Sequence, residues 1–426
     1  MELLSQCSTN ELLKELLSQE NVVYRSNGNR AVPIEEALKL AKKTALDVGV
    51  SRVGEINQLC SYVLPVFQAT RLSLYYHPMT GQNSSTNGKG LTKKQAEISC
   101  LMEAIEGFCA EPRNPILIRG SYHYLKKQHV LINPQIINHR EKTPPAQLEE
   151  PLMWTPCASL NHKTPVLVPA EAVYFPFLPE EYSTRPIFVC STNGLASGGT
   201  YLEALMHALY EVIERHYISC WEQGSASIQQ IFEEDLKKIK SVQKILSAGR
   251  KEDFIIKIYS VLLKKEINMS FFVSAVFTPY NRLAFLGYGC HSNIETAINR
   301  ALSESIQSWT TSASGSREDL LKNKFMQKNS TVLLPLQASL KLDQLKNHIV
   351  NTKFLTLNDE LNFLLYWLKT LGIKDVFIAN LTRHGVQIPV IKVIAPGMLI
   401  NKKAKHPHTL LKTNAIQDIR YGINRG

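Results

Sequence analysis

Three stretches of the chain repeat one design: a glycine-bearing loop, a helix cap, then a helix with acidic or amide side chains on one face. They run from Asn87-Gly88-Lys89-Gly90 to Glu103 and Glu106, from Asn193-Gly194 through Gly199 to Glu211 and Glu214, and from Gly287-Tyr288-Gly289 to Glu304 and Gln307. In the first two, a capping threonine (Thr92, Thr200) stands eleven residues before the first glutamate. Four carboxylates brought together in this way repel one another unless a cation sits between them.

At 426 residues with 44% hydrophobic content, the chain can build one large or two intermediate domains with ample core. No apolar run approaches the ~18 residues of a membrane span, and Met1-Glu2-Leu3-Leu4 has no secretory pattern. Eight scattered cysteines without a C-x-x-C pair point to reduced thiols and a cytoplasmic protein. The net charge of +11 collects in lysine runs such as Lys237-Lys238 and Lys402-Lys403, which lack interleaved aromatics and read as solvated surface, with neither nucleic acid nor membrane as partner.

Residues 1–48 read as a helical segment, with Ser8-Thr9-Asn10 capping one helix and Ile34–Val48 forming another after Pro33. Strand patterns follow at 63–66, 116–119, 166–168, 173–177 and 188–190, then at 254–259, 269–277, 284–288, 376–380 and 390–393, with a helix at 361–371. Residues 316–356 are polar and lysine-rich, as in a surface insertion, and 401–426 form a tail. Helices and strands without regular alternation predict an α+β fold of mixed sheets and packed helices over 49–400.

On a helical wheel, Ser99, Glu103 and Glu106 share one arc opposite Ile98, Leu101 and Ile105. Glu203, His207, Glu211, Glu214 and Arg215 share another, opposite Leu202, Leu205, Leu209, Val212 and Ile213. Capping boxes are predicted at Thr92/Gln95, Thr200/Glu203 and Ser292/Glu295. An ordinary solvated face interleaves lysine with glutamate, yet residues 95–110 and 200–214 contain neither lysine nor arginine. All-oxygen donors suit Mg²⁺, which takes one or two carboxylates per ion plus phosphate oxygens. Glycine loops at helix N-termini suit phosphate, and Lys89 can meet it directly. The Walker spacing is absent, as are a G-x-G-x-x-G fingerprint and a hydrolase elbow, so any nucleotide site is of another kind. Cys100 and Cys109 read as packed core, and His207 and His216 as helix-surface residues.

The segment Ser191-Thr192-Asn193-Gly194-Leu195-Ala196-Ser197-Gly198, continuing to Glu211-Val212-Ile213-Glu214-Arg215, resembles the central motif of the YcaO superfamily. Gly88-Lys89-Gly90 with Glu103 and Glu106 resembles its first motif, and Glu304 to Gln307 with Gly315-Ser316-Arg317 its third. The flanks, Gly49 to Val53 and Ile388 to Gly397, are similar as well. The resemblance implies a YcaO-type ATP-binding fold with ATP and Mg²⁺ as cofactors. Glu103, Glu106, Glu211 and Glu214 would hold the metal; Lys89, Ser99, Asn193, Glu203, Arg215, Glu304, Gln307 and Arg317 would bind the nucleotide. It implies activation of a peptide backbone amide by phosphorylation of its oxygen, giving an azoline or a thioamide, or else a nucleotide-binding accessory protein without turnover. A peptide or protein substrate, a TfuA-like or ThiF-like partner and a homodimer are implied too. Gly107 and Trp309 stand where many relatives carry arginine; Arg317 and Arg71 are the candidates to replace them. The tail lacks the proline-rich end common among azoline formers, which favours thioamidation.

Overall fold

In a computed structural model the chain is described for Leu12 and for residues 30–57, 63–77, 81–265, 267–279, 281–315 and 338–400. Element order begins with α1 (Ile34–Asp47), β1 (Val50–Glu55), β2 (Val66–His77), β3 (Gly81–Lys89) and α2 (Lys93–Ala110). There follow β4 (Ile118–Gly120), β5 (Leu152–Ser159), β6 (Thr164–Pro169), β7 (Leu195–Ser197) and α3 (Tyr201–Glu222). Next come β8 (Ala226–Ile231), α4 (Lys240–Lys251), β9 (Ile255–Leu263), β10 (Ser270–Thr278), β11 (Asn281–His291) and α5 (Ile294–Ala313). The described chain closes with β12 (Ala338–Leu340), α6 (Leu357–Thr370), β13 (Phe377–Asn380) and β14 (Val390–Ile394), isolated helical turns being left unlabelled.

The strands form three sheets: β1-β2-β3; β11-β10-β9-β8-β12; and β4-β5-β13-β14-β7 with β6 on β5. Pairing is antiparallel except between β12 and β8. The architecture is α+β, as expected. Helix α3 packs against β7 and β14 on one side and β8, β9 and β11 on the other. Leu202, Leu205, Leu209, Val212 and Ile213 are all buried there. At roughly 1.5–3 kcal/mol per side chain, that burial is large enough to hold Glu203 and Glu214 of the same helix in a buried setting.

Several sequence expectations change. The first glycine-bearing stretch, expected as a loop at Asn87–Gly90, is as far as Lys89 the end of strand β3; Gln68↔Asn87 and Ala69↔Thr86 pair it to β2, so its polar side chains ride on a hydrogen-bonded ladder. The other two glycine segments likewise enclose β7 and lie within β11. Their glycines allow strand and helix to touch: a Cβ at Gly88 would sit 2.1 Å from Ala96 O and Cys100 N, and one at Gly289 2.1 Å from Ala297 O. Only glycine admits such an approach.

Val63 and Leu64 are core residues before β2 rather than part of a strand, residues 173–177 form a turn, and Phe188 makes only an isolated bridge. The described end of the expected surface insertion is instead structural. β12 joins the five-stranded sheet, and Leu345 and Ile349 are buried. Residues 316–337, 401–426 and Ser8-Thr9-Asn10 lie outside the described residues.

Candidate functional site

The three repeated units meet at one place. Helix α2 packs on β3 and β7, α3 on β7 and β14, and α5 on β10, β11 and β3. Thr92 caps α2 through a complete box with Gln95. Thr200 accepts from Glu203 N, but the Glu203 carboxylate turns away, taking Arg30 Nη1 at 2.6 Å and Ala31 N at 3.2 Å. The third cap is Asn293, which accepts from Thr296 N. Ser292 donates to the buried Glu360 instead, so the expected Ser292/Glu295 box is not formed.

Glu106 is seated by the Ser197 N–H at 2.8 Å and the Ser197 hydroxyl at 2.7 Å. That contact ties the first acid helix to the start of the second unit. Burial pushes its carboxyl up to about 8, and the charges of Glu103 and Glu211 add to this against the two hydrogen bonds. Burial carries Glu211 to about 7, with Glu214 adding to the rise while Arg215 and Lys392 oppose it. Glu214 accepts from Cys290 N at 3.1 Å and stands 4.0 Å from Arg300; burial and then Glu304 raise it. The four glutamates on the E-x-x-E helices therefore form one electrostatic chain that continues into Glu304.

Cations line this chain. Lys89 Nζ meets Glu304 Oε2 at 2.7 Å. Burial alone would raise Glu304, but Lys89, with Arg215 and Arg300, holds it below the ordinary carboxylate range. Arg215 lies 3.9 Å from Glu211. Gln307 donates to Asn87 O at 2.6 Å, tying α5 to β3. Asn193 is buried, and its Oδ1 has no hydrogen-bond partner among the described residues. Ser99 is half-buried and Glu103 exposed on α2. Arg317 lies outside the described residues.

Arg300 and Lys392 were missed in the sequence. Arg300 sits one helical turn before Glu304, a signal that an i,i+4 search of the third unit could have found. Lys392 interrupts an apolar strand and carries no such pattern. His207 is half-buried, against Ser197 O at 3.2 Å, and burial with the Arg30 charge holds it well below an ordinary imidazole.

The two positions where arginine is absent differ in consequence. Trp309 packs between Phe254 and Phe285 in the core beneath α5. Gly107 faces Arg71: a Cβ there would come within 3.1 Å of Arg71 Nη2. That guanidinium pairs with Glu111 at 2.8 Å and is itself buried.

The donor set fits magnesium-bound triphosphate. Among the described residues no three His, Cys, Asp or Glu side chains form a ready metal cluster. Mg²⁺ that keeps phosphate and water ligands does not require one. Carboxyls driven up by burial and by one another are those that a cation would return to the ionised form.

Comparison with known proteins agrees. A family model described as YcaO cyclodehydratase, ATP- and Mg²⁺-binding, matches residues 87–399. A protein of Methanothermobacter thermautotrophicus is 30% identical over 384 residues, 87% of this chain and 94% of its own. A protein of the tfuA 3′ region of Rhizobium leguminosarum bv. trifolii is 24% identical over 406 residues, 88% of this chain and 89% of its own.

Among solved structures, YcaO from Methanopyrus kandleri bound with AMPPCP and Mg²⁺ superimposes with TM-score 0.67 at 22% identity, covering 89% of this chain and 95% of that one. A heterocyclase in complex with substrate and cofactor gives TM-score 0.70 at 18% identity, covering 93% of this chain and 57% of that one. No helix among the described residues is long and apolar enough to cross a membrane. The match over most of its length, with the fold shared, makes the chain a member of the YcaO family, whose cofactors are ATP and Mg²⁺.

Proposed function

We propose that this protein is an ATP- and Mg²⁺-dependent enzyme that activates a peptide backbone amide by phosphorylating the amide oxygen, giving a thioamide or an azoline in a ribosomally made peptide or protein. The observation that carries this reading is the electrostatic chain Glu103–Glu106–Glu211–Glu214–Glu304, drawn from three helices and bordered by Lys89, Arg215 and Arg300. An amide oxygen is a poor leaving group, and bound ATP supplies the phosphoryl group that makes its departure feasible. The protein's part is positioning and charge neutralisation.

In this reading Glu103, Glu106, Glu211 and Glu214 hold Mg²⁺. Lys89, Arg215 and Arg317 face phosphate, while Ser99, Asn193, Glu203, Glu304 and Gln307 line the nucleotide pocket. The YcaO domain spans 49–400, the substrate peptide is brought by a TfuA-like or ThiF-like partner, and the protein works as a cytoplasmic homodimer. The likeness to a protein of the tfuA 3′ region supports the TfuA-like choice and, with it, the thioamide product. A likeness to the E. coli microcin synthetase McbBCD complex (TM-score 0.56, 16% identity, 79% of this chain) supports a partnered arrangement.

The test is ADP release measured with and without candidate peptides and partner, with the product read by mass: loss of water marks an azoline, exchange of oxygen for sulfur a thioamide. Gly107 and Trp309 favour a second reading, an accessory protein that binds nucleotide without turnover. AMPPCP binding without ADP release, with partner and peptide present, would select it.

A further inference from the structure

Beside the carboxylate chain lies a cavity of about 30 Å³ between β14 and the segment that leads into β7. It is bounded by Asn138, Ser191, Asn193, Lys392 and an apolar wall that includes Val212 and Ile394, with half-exposed Val189 and Pro396 at its edge. Lys392 is 3% exposed, and its ammonium donates to Ser191 O at 2.5 Å, the one hydrogen bond it makes among the described residues. An ammonium has three donors, so two are left for a ligand.

Asn138 is also 3% exposed, and its Nδ2 donates to Met398 O at 2.8 Å. That bond fixes which way the amide points, leaving Oδ1 as an acceptor, buried and without a partner among the described residues. Leaving a buried acceptor unmet is costly, so the site suits a group with a donor. Lys392 acts electrostatically on Glu211, which sets the cavity against the metal-side carboxylates.

We infer that this cavity receives the substrate's backbone amide, with Lys392 donating to the carbonyl oxygen and Asn138 Oδ1 accepting the amide N–H. The inference rests on the amide-activation reading above. One donor and one acceptor are what a peptide unit asks for. A water needs roughly 10–15 Å³ measured in this way, so the space admits a carbonyl and its nitrogen but no large side chain. When a nucleophile's lone pair forms its bond to the carbonyl carbon, the C=O π pair moves onto the oxygen. Lys392 keeps all three protons and meets that negative charge, and the nucleophile's proton passes to solvent. Lys392 is thus a catalytic residue and Asn138 a substrate-orienting one.

The experiment uses the full chain labelled with ¹⁵N-lysine and N-methylacetamide as the probe, with N,N-dimethylacetamide, which has no N–H, as its contrast. The Lys392 Nζ signal, assigned by its loss in Lys392→Met, should shift saturably with N-methylacetamide. It should bind about 3- to 10-fold less tightly to N,N-dimethylacetamide, the range of one neutral hydrogen bond. In Asn138→Ala that preference should vanish. Lys392→Met should keep AMPPCP·Mg²⁺ affinity within about threefold while peptide-dependent turnover drops about 10²–10³-fold, as for loss of one oxyanion donor.

A Lys392 signal indifferent to both amides, equal binding of the two in the unmodified protein, or loss of AMPPCP binding in Lys392→Met would each overturn the inference. If Lys392→Met does not fold, Lys392→Gln takes its place in the AMPPCP and turnover arms, and failure of both to fold makes the lysine structural, also overturning it. Probe binding without any peptide-dependent ADP release would instead defeat the amide-activation reading, and the amide role of the cavity with it.

Discussion

Lys89 Nζ and Glu304 Oε2, 215 positions apart in the chain, meet at 2.7 Å and join the strand before the first acid helix to the third helix. Both side chains are about three-quarters buried. The lysine is therefore held over the carboxylate chain before any nucleotide arrives, and Glu304 keeps it in place.

If Lys89 meets phosphate, Lys89→Met removes a charge-assisted hydrogen bond worth about 1.5–3 kcal/mol. Isothermal titration with AMPPCP and Mg²⁺ should show affinity weakened about 10- to 100-fold. Glu304→Gln should weaken it less, because the lysine stays and only its ionic tether is lost.

The raised carboxyls set a pH dependence. A carboxyl whose folded pKa lies above its unfolded value contributes stability below the unfolded pKa and loses it as pH rises through the folded one. Glu106 and Glu211 move from an ordinary 4.5 to about 8 and about 7. In metal-free protein their contribution should therefore decline between about pH 4.5 and 8. Mg²⁺ with AMPPCP should reverse this, stabilising more at pH 8 than at pH 6. Scanning calorimetry across that window checks the sign, and a Tm gain from ligand that is larger at pH 6 would contradict it. Glu211→Gln should raise the metal-free Tm at pH 8 while weakening Mg²⁺-dependent nucleotide binding.

Gly88→Ala places its Cβ against backbone atoms of α2, which cannot yield as a side-chain tip would. Overpacking of this kind costs about 1–3 kcal/mol or more, and it should also move Lys89. A Tm drop of several degrees together with weaker AMPPCP binding is expected. Gly54→Ala, with nothing within 4 Å of the new Cβ, is the control and should be close to neutral.

Arg383 should matter for stability. Its guanidinium donates to the carbonyls of Phe108, Cys109, Glu111 and Arg113 at the C-terminal end of α2. Phe108 and Cys109 lie in the last turn of α2, where carbonyls have no partner within the helix; Glu111 and Arg113 follow just beyond it. Arg383→Met should destabilise the fold by about 2–4 kcal/mol through lost charge-assisted bonds and stranded acceptors. Urea denaturation measures it directly.

The acid helices were legible because their signals are local: a threonine cap, a 3.6-residue apolar stripe and glutamates without lysine partners. Residues 81–89 were not, because a strand whose side chains are polar and whose glycines face a helix looks like a loop until its neighbour is known. Ser292/Glu295 had the spacing of a capping box, but Glu360, 68 residues away, takes the serine hydroxyl. Lys392 and Asn138 carry no pattern at all; their meaning comes from a cavity that closes between segments more than 250 residues apart. Arg30 reaches Glu203 across 173 residues, a pairing that no local rule could supply.

The central claim is that carboxylates from separate helices gather around magnesium-bound triphosphate. Its most direct measurement is a calorimetric titration of AMPPCP into metal-free protein, with and without Mg²⁺, beside the Glu106→Gln and Glu211→Gln variants. The account predicts binding that requires Mg²⁺, releases protons at pH 7 as Glu106 and Glu211 ionise, and weakens at least tenfold in each variant. Binding equally tight without Mg²⁺, or unchanged in both variants, would contradict it.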